Sequence, residues 1–571
     1  MRKTILTIYF GFLIFSVSCQ TKSYKSNNEK EFDNGSNITL INISGSTIED
    51  LDILGKVWGF LKYYHPVIAK GEYNWDYELF RIMPKILKSK NQTERNDILS
   101  EWVNSLGKIE SAEVMNEERG EIKMSPDRSW IKNKNLGQKL NGQLTDIRNC
   151  RRTNENYYIG LTRIGNPDFN NENSYSTMKY PDAGFRLLSL YRYWNIIQYY
   201  FPYKYLIGED WNEVLKEFIP KFLNASNELE YELTVLSIIA RVHDSHAIIL
   251  GGAAALKNYV GINKATVKIK FVENKAVVTA YDDSVSIKQS KLKIGDIIET
   301  INNKSVEEIV REKLPYTPAS NYPTQLRNIE QNLLRTNDSI LNVGYKRGDA
   351  GNNLTIKCYP AEIDDISMFQ NLDTCFKLLT NDIAYFNPGS VKKEYLPEIM
   401  PEILWTRGLI IDFRCYPSDD IVNNLSEYFL PYSTKFVKAS KGSIILPGLF
   451  TMTDAREIGM ENKDFYKGKV IIIVNEITQS SAEFHTMAFR TFPEAKVIGS
   501  TTAGADGNTS KFFLPGGIET KISGLGVYYP DGTETQRVGI VPDIEVKTTI
   551  KGITEKRDEL LEKAIEIINE K

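Results

Sequence analysis

The sequence of 571 residues is poor in the residues that usually mark metal or nucleic-acid sites. It has four histidines and five cysteines, and neither a Cys-x-x-Cys pair nor a Cys/His cluster occurs, so a zinc site is unsupported. The formal net charge of -3 excludes the strong basic field that attracts nucleic acid. Hydrophobic residues make up 42% and charged residues 25%, which indicates a globular chain of about three or four domains.

The chain begins with a basic stretch followed by an apolar run from Ile5 to Val17. This run is shorter than the roughly 20 residues that cross a bilayer, and it is typical of a secretory signal segment. Residues 1–19 therefore predict a lipoprotein-type signal peptide, with Cys19 of "FSVSC" as the lipid-anchored residue; a plain signal peptide is the alternative. The polar residues 20–45 predict a flexible tether, and the chain is expected in the periplasm, anchored to the membrane.

The N-terminal third contains a repeat, in which "VWGFLKYYHP" recurs 136 residues later as "YWNIIQYYFP". Apolar residues at helical spacing in both copies predict two helical units, residues 46–180 and 181–258. The second unit ends in "DSHA", which contains Ser245 and His246, whereas the first unit lacks both at the aligned positions. The helical scaffold therefore does not itself require this Ser-His pair.

Strand signals dominate residues 259–362, where "LKIGDIIETINNKSV" resembles part of a PDZ domain without its usual glycine-rich carboxylate-binding loop. Residues 363–551 alternate buried strands such as "KVIIIV" with helices, as in an α/β domain. Residues 552–571 predict an amphipathic C-terminal helix. The predicted fold class is therefore multidomain α/β.

The segment "NEITQSSAEFH" places Ser480 and Ser481 between a strand that ends at Val474 and a helix that begins near Ala482. Unpaired N–H groups and the positive end of the helix dipole meet there, so a nucleophilic serine would gain an oxyanion site. Serine is also a common N-cap residue. This stretch alone leaves both interpretations open.

Four strings occur in a fixed order: "GLIIDFRCYPSDD", "VNEITQSSAEF", "VIGSTTAGADGN" and "QRVGIVPDIEV". Together they resemble the tail-specific, or C-terminal processing, serine peptidases, and most closely the tricorn-core branch, over residues 233–546. The resemblance implies a PDZ domain before a ClpP/crotonase-like catalytic domain. It also implies hydrolysis of polypeptides through an acyl-enzyme, with no metal or organic cofactor.

The resemblance assigns the nucleophile to Ser480, three residues before Glu483, and an oxyanion contact to the N–H of Ser481. The position of the lysine base used by the processing-protease branch is Ala505, so a Ser-Lys dyad is missing. The tricorn-core branch uses a histidine in a Ser-His-Ala string, which here is His246. Imidazole is the natural base near neutral pH.

The remaining implied residues complete the predicted site. Ser245 and Gln536 orient the base, Gln536 standing where the branch carries Glu, with Glu534 as the alternative. The second oxyanion donor is the N–H of Ser418, since Pro417 has none to give.

Other interpretations stay open on the sequence. The remaining histidines, His65, His243 and His485, compete with His246 as the base. The chain could instead be a catalytically inactive peptide-binding envelope protein of this fold, or an esterase-type hydrolase. The expected partner is a polypeptide substrate, with its C-terminus as one candidate contact; the sequence leaves substrate preference and oligomeric state open.

Overall fold

A computed structural model describes residues 24–39, 43–109, 120–132, 134–282, 290–362 and 374–570. The predicted signal peptide, including Cys19, and the first residues of the predicted tether lie outside the described residues. Across the described ranges, no helix combines the length and the apolar character needed to cross a membrane.

The prediction of a flexible tether is wrong for residues 24–39. Phe32 and Ile38 are buried against the helical region, and the Ser36 hydroxyl donates to Asp182 at 2.6 Å. A segment of low average hydrophobicity is thus held on the helical region by a few buried side chains and hydrogen bonds, which its composition alone does not predict.

The N-terminal region is built mainly from helices, and three of its helices correspond to later ones. Helices α1, α3 and α4 are matched 136 residues later by α6, α7 and α8, with ends that agree within two residues. The helices are α1 (Gly45–Tyr64), α2 (Pro66–Ala69), α3 (Trp75–Leu87), α4 (Gln92–Ser105), α5 (Gly137–Asn149), α6 (Ala183–Tyr200), α7 (Trp211–Asn224), α8 (Glu228–Ala240) and α9 (Ala254–Val260).

The same tryptophan pairing occurs in both sets of helices. Trp58 and Trp75 each donate an indole N–H to the other's carbonyl oxygen, at 2.8 and 2.9 Å. Trp194 and Trp211 do the same at 2.6 and 3.1 Å. These reciprocal bonds satisfy buried polar groups while the rings fill the core.

The predicted helical units also contain short strands that join the C-terminal part of the chain. Strand β1 (Ile122–Met124) pairs with β17 (Phe450–Met452), and β4 (Ile249–Gly251) pairs with β22 (Ile518–Ser523). β2 (Ile159–Leu161) and β3 (Pro167–Phe169) form a hairpin. Strands of three residues are too short to show a period of two in the sequence.

Residues 263–360 form an antiparallel sheet with two helices, α10 (Val306–Lys313) and α11 (Tyr322–Glu330). The strand order is β10-β5-β12-β11-β8-β7-β6, and β9 pairs with β8. The strands are β5 (Asn263–Ala265), β6 (Val267–Val272), β7 (Lys275–Tyr281), β8 (Ile297–Ile301), β9 (Lys304–Ser305), β10 (Arg335–Thr336), β11 (Ile340–Arg347) and β12 (Ala350–Pro360).

The C-terminal domain is layered around a sheet of order β13-β14-β15-β19-β20-β24, which is parallel from β14 onward. Its strands are β13 (Phe376–Thr380), β14 (Ile383–Phe386), β15 (Gly408–Asp412), β19 (Lys469–Val474), β20 (Ala495–Gly499) and β24 (Ile544–Glu545). Antiparallel strands beside it are β16 (Thr434–Gly442), β17, β18 (Arg456–Ile458), β21 (Thr509–Leu514), β22 and β23 (Gly526–Tyr528).

Helices cover both faces of this parallel sheet. One face packs against α12 (Leu396–Leu404), α13 (Val422–Phe429) and α14 (Ser481–Phe489). The other packs against α16 (Glu559–Asn569), which follows the short α15 (Ile550–Thr554) and lies within the predicted C-terminal helix. Strands covered on both faces must be apolar throughout, which explains the uninterrupted runs in β15 and β19.

Removing one indole N–H from the helical region should destabilise the chain. Trp194→Phe leaves the buried carbonyl of Trp211 without its donor and opens a small cavity, at a cost of about 3 kcal/mol. Thermal unfolding measured by circular dichroism should show a melting point several degrees lower. Trp405→Phe is the matched control because Trp405 is 90% exposed. An equal shift of the melting point in both variants would show that the buried Trp194 indole does not stabilise the helical region.

Candidate active site

Ser480 lies on the sharp turn between the buried strand β19 and helix α14. Its backbone has φ 56° and ψ -118°, a conformation that a residue with a Cβ adopts only at a cost. The turn is held from both sides: Thr478 donates its hydroxyl to Phe413 O at 2.7 Å, and Arg327 donates to Gln479 Oε1 at 3.0 Å. A serine on a strained strand-to-helix turn is a known arrangement for an exposed nucleophile.

The carboxylate of Glu483 links this turn to the glycine loop. It accepts the N–H of Ser480 at 3.1 Å, of Gly504 at 2.8 Å and of Ala505 at 3.1 Å, and the hydroxyl of Thr502. Burial raises the pKa of Glu483, and these donors oppose that shift. Glu483 therefore fixes the backbone of Ser480 against the loop that follows β20.

Ser481 begins helix α14, so its N–H has no intrahelical acceptor. Among the described residues, no hydrogen bond from this N–H is recorded. This N–H is therefore free to bind an anion beside Ser480. His485 lies one helical turn after Ser481. Its Nδ1 is 2.6 Å from Ser481 O, and its Nε2 accepts the N–H of Ile421 at 3.2 Å. Both of its nitrogens are engaged, which removes it as a base.

His246 is buried and belongs to a chain of hydrogen bonds that ends on a carboxylate. Its Nδ1 lies 2.9 Å from Ser523 Oγ, and Ser523 donates that hydroxyl to Asp244 Oδ1 at 3.0 Å. Since the single proton of Ser523 goes to Asp244, Ser523 must accept from Nδ1–H. The lone pair is then on Nε2, the nitrogen that can take a proton. Burial lowers the pKa of His246 to about 4, with Asp244 opposing and Lys521 adding to the shift.

Ser245 and Gln536 lie in the site, and none of the hydrogen bonds recorded for the described residues joins either of them to the imidazole of His246. The Ser245 hydroxyl lies 2.9 Å from Ala503 O and accepts Ser320 N–H at 2.8 Å. Gln536 donates to Asp244 Oδ1 at 3.3 Å, and so acts on the carboxylate rather than on the ring. The carbonyl of Ser245 accepts from Gln479 at 3.4 Å, which joins the His246 segment to the residue before Ser480.

No hydrogen bond between Ser480 and His246 is recorded in the part of the chain that the structure describes. The predicted alternative to Gln536 lies elsewhere, because Glu534 pairs with Lys123 at 2.7 Å and with the Tyr205 hydroxyl. His65 is buried in the helical region and accepts the N–H of Val67 through Nδ1. These contacts disfavour His65 and His485 as the base.

The prediction that Ser418 supplies the second oxyanion donor is wrong for this structure. The N–H of Ser418 donates to Pro388 O at 3.0 Å, and its hydroxyl also contacts that carbonyl at 3.2 Å. The loop folds back on the segment after β14, and this tertiary contact has no local signal. Burial raises the pKa of the nearby Tyr416, and the side chain of Ser480 opposes that shift.

Three residues near the site were not predicted from the sequence. Asp244 stands next to Ser245 in the string "DSHA" and could have been considered there. Tyr416 belongs to the same loop as Ser418, the predicted second oxyanion donor. Ser523 is separated from His246 by 277 positions and has no motif, so only the pairing of β4 with β22 brings it into place.

A sequence model described as "Peptidase family S41" matches residues 391–546. The C-terminal domain belongs to peptidase family S41. The chain is therefore a serine-type peptidase, and the resemblance to tail-specific peptidases is confirmed. The S41 match contains Ser480 and Gln536 but not His246.

Solved structures align with this chain at low sequence identity. Mature CPAF complexed with lactacystin aligns with a TM-score of 0.54 and 11% identity, over 68% of this chain and 98% of that one. A putative peptidase from Parabacteroides merdae aligns at TM-score 0.41 and 15% identity, over 68% and 97%. The photosystem II D1 C-terminal processing protease aligns at TM-score 0.38 and 14% identity, over 63% and 93%. A search of curated proteins found no match.

Asp244 should act on the reaction through His246. In Asp244→Asn the carboxylate that receives Ser523 is lost, so the imidazole is less firmly held in the Nδ1–H tautomer. We expect kcat for casein hydrolysis to fall about 100-fold, within the range of general-base catalysis. The exposed Asp454→Asn is the control. Unchanged kcat in the Asp244 variant would show that this carboxylate does not position the base.

Proposed function

We propose that this S41 chain is an exported serine endopeptidase that hydrolyses polypeptides with Ser480 as nucleophile and His246 as general base. One observation carries the proposal. A serine on a strained turn, beside an unpaired helix N-terminal N–H, directly follows Gln479, which donates to the carbonyl of Ser245, and the next residue, His246, is a buried histidine whose tautomer leaves Nε2 basic.

The chemistry follows from these positions. The Ser480 oxygen bonds to the peptide carbonyl carbon while its proton passes to Nε2 of His246, and the Ser481 N–H stabilises the resulting oxyanion. Collapse of this tetrahedral intermediate breaks the C–N bond of the peptide, and His246 returns the proton to the leaving amine. Water then hydrolyses the acyl-enzyme by the same steps. Catalytic pairs often lengthen in empty sites, so the mechanism requires Ser480 and His246 to close together on substrate.

The remaining domains are proposed to deliver substrate and to locate the enzyme. The equal offset of α1, α3 and α4 from α6, α7 and α8 supports a duplicated helical region. Residues 259–362 are proposed as a PDZ-like domain that positions a polypeptide, with its C-terminus as one contact. Support comes from Arg327 of that domain, which donates to Gln479 beside the nucleophile. The N-terminal segment would export the chain and anchor it through Cys19.

A fluorophosphonate probe tests the nucleophile. The wild-type chain should be labelled and Ser480→Ala should not, because the probe reacts only with an activated serine hydroxyl. Ser433→Ala, an exposed serine of the same domain, should be labelled normally. An unlabelled wild-type chain would favour the inactive peptide-binding alternative, and labelled protein that hydrolyses p-nitrophenyl esters but not casein would favour the esterase.

A second pair of variants tests the base. His246→Ala should lower casein hydrolysis by about 100-fold or more, since general-base catalysis typically contributes that much. His243→Asn is the matched control, because Asn tolerates the left-handed backbone of His243 at φ 53°. Full activity in the His246 variant would exclude it as the base.

The lowered pKa of His246 predicts the pH profile. The base must be neutral, so kcat/KM rises with pH through its pKa and should be constant from about pH 6 upward, with its midpoint well below the ordinary value of about 6.5. Lys521→Met removes a charge that lowers this pKa and should move the midpoint upward. A wild-type midpoint at or above 6.5, with folding verified by circular dichroism, would contradict the prediction.

A further inference from the structure

A groove of about 940 Å³, here called the β4 groove, opens beside the chain segment that contains His246. One wall consists of β4, the residues around it and helix α9, and the other comes from Lys313, residues 316–318 and the end of α11. The two walls meet close to the proposed base, because the N–H of Ser245 donates to Ser320 Oγ at 2.9 Å. The groove reaches Ile248 on one of these segments and Pro318 on the other, so it leads to the place where a peptide bond would be cut.

Strand β4, which lines this groove, has one unpaired edge. It is the end strand of the sheet β21-β22-β4, so within the described ranges only its edge toward β22 is paired. All three of its residues, Ile249–Gly251, contribute to the lining. An unpaired strand edge is a template onto which an extended peptide can add through main-chain hydrogen bonds. The occupant that this geometry favours is an extended polypeptide.

The lining combines exposed apolar side chains with an excess of positive charge. Leu250, Tyr259 and Ile262 are 38%, 46% and 51% exposed although they are large and hydrophobic. Against a single glutamate, Glu362, the groove is lined by three lysines, which are Lys179, Lys257 and Lys313. Charge complementarity therefore favours an apolar occupant that also contains a carboxylate.

Lys313 is the most buried of these lysines and the best placed to bind that carboxylate. Its ammonium lies 6.0 Å from the centre of the Tyr259 ring, and in the part of the chain that the structure describes no ion pair of this ammonium is recorded. The adjacent Glu312 is already paired with Lys304 at 2.6 Å. Burial lowers the pKa of Lys313, and a carboxylate bound beside it would oppose that shift.

We propose that the β4 groove binds the polypeptide substrate beside the scissile bond and selects segments in which apolar side chains flank an acidic one. The substrate lies as an extended strand along β4, its apolar side chains contact Leu250, Tyr259 and Ile262, and the carboxylate of an internal aspartate or glutamate pairs with Lys313. This inference rests on the proposed function, because it names the substrate class of the same site.

The test measures peptide binding to the full chain with Ser480→Ala, which removes the proposed nucleophile, by the fluorescence anisotropy of labelled peptides. The peptides are apolar and C-terminally amidated, and they carry one glutamate at each position in turn, with glutamine or lysine there in matched peptides. At the preferred position we expect Kd to be about tenfold lower for glutamate than for glutamine, as for a hydrogen bond to a charged group. Lys313→Met should remove this difference. Lys268→Met is the control, because Lys268 is exposed and lies outside the groove.

A charge reversal guards against a folding defect. Lys313→Glu should bind the lysine peptide more tightly than the glutamate peptide, which is a gain that misfolded protein cannot show. Equal Kd values for glutamate and glutamine at every position, no measurable binding, or a preference that persists in Lys313→Met would overturn the proposal.

Fluorophosphonate labelling separates this inference from the proposed function on which it rests. With Ser480 present, Lys313→Met should be labelled as fast as the wild-type chain, because the groove binds substrate and does not activate the nucleophile. Slower labelling of that variant would contradict the assigned role of Lys313. A wild-type chain that is not labelled would refute the proposed nucleophile, whereas the peptide preference would still decide whether the groove binds acidic segments.

Discussion

The carboxylate of Glu483 ties together the two loops between which the reaction would occur. It accepts main-chain N–H groups from the nucleophile turn at Ser480 and from the glycine loop at Gly504 and Ala505. A serine at φ 56° would relax toward an ordinary conformation unless its surroundings held it. By holding both loops, Glu483 keeps the Ser480 hydroxyl at the N-terminus of α14, where the helix presents an unpaired N–H.

A second buried carboxylate, Asp244, holds the segment of the proposed base as Glu483 holds the turn of the proposed nucleophile. Its carboxylate accepts hydrogen bonds from the backbone N–H of His246 at 3.0 Å, from the backbone N–H and the hydroxyl of Ser523, and from the side-chain amide of Gln536. The pairing of β4 with β22 sets the register that brings Ser523 to His246. In the proposed mechanism, the S41 domain, which has Ala505 in place of a lysine base, would be completed by His246 from the preceding helical region.

The sequence predicted what depends on local pattern. The uninterrupted apolar runs indicated β15 and β19, and the 136-residue offset indicated the corresponding helices. The features that the sequence did not predict depend on contacts between distant residues. They are the short strands β1 and β4, the packing of residues 24–39, and the hydrogen bond from the Ser418 N–H to Pro388 O. The partners of His246 were likewise set by a strand pairing rather than by a motif.

The most direct test is a crystal structure of the chain inactivated by a fluorophosphonate. The account predicts phosphorus bonded to Ser480 Oγ, with Nε2 of His246 within hydrogen-bond distance of the adduct and Nδ1 still held by Ser523. Phosphorus on another residue, or a different basic side chain beside the adduct with His246 remote from it, would contradict the account.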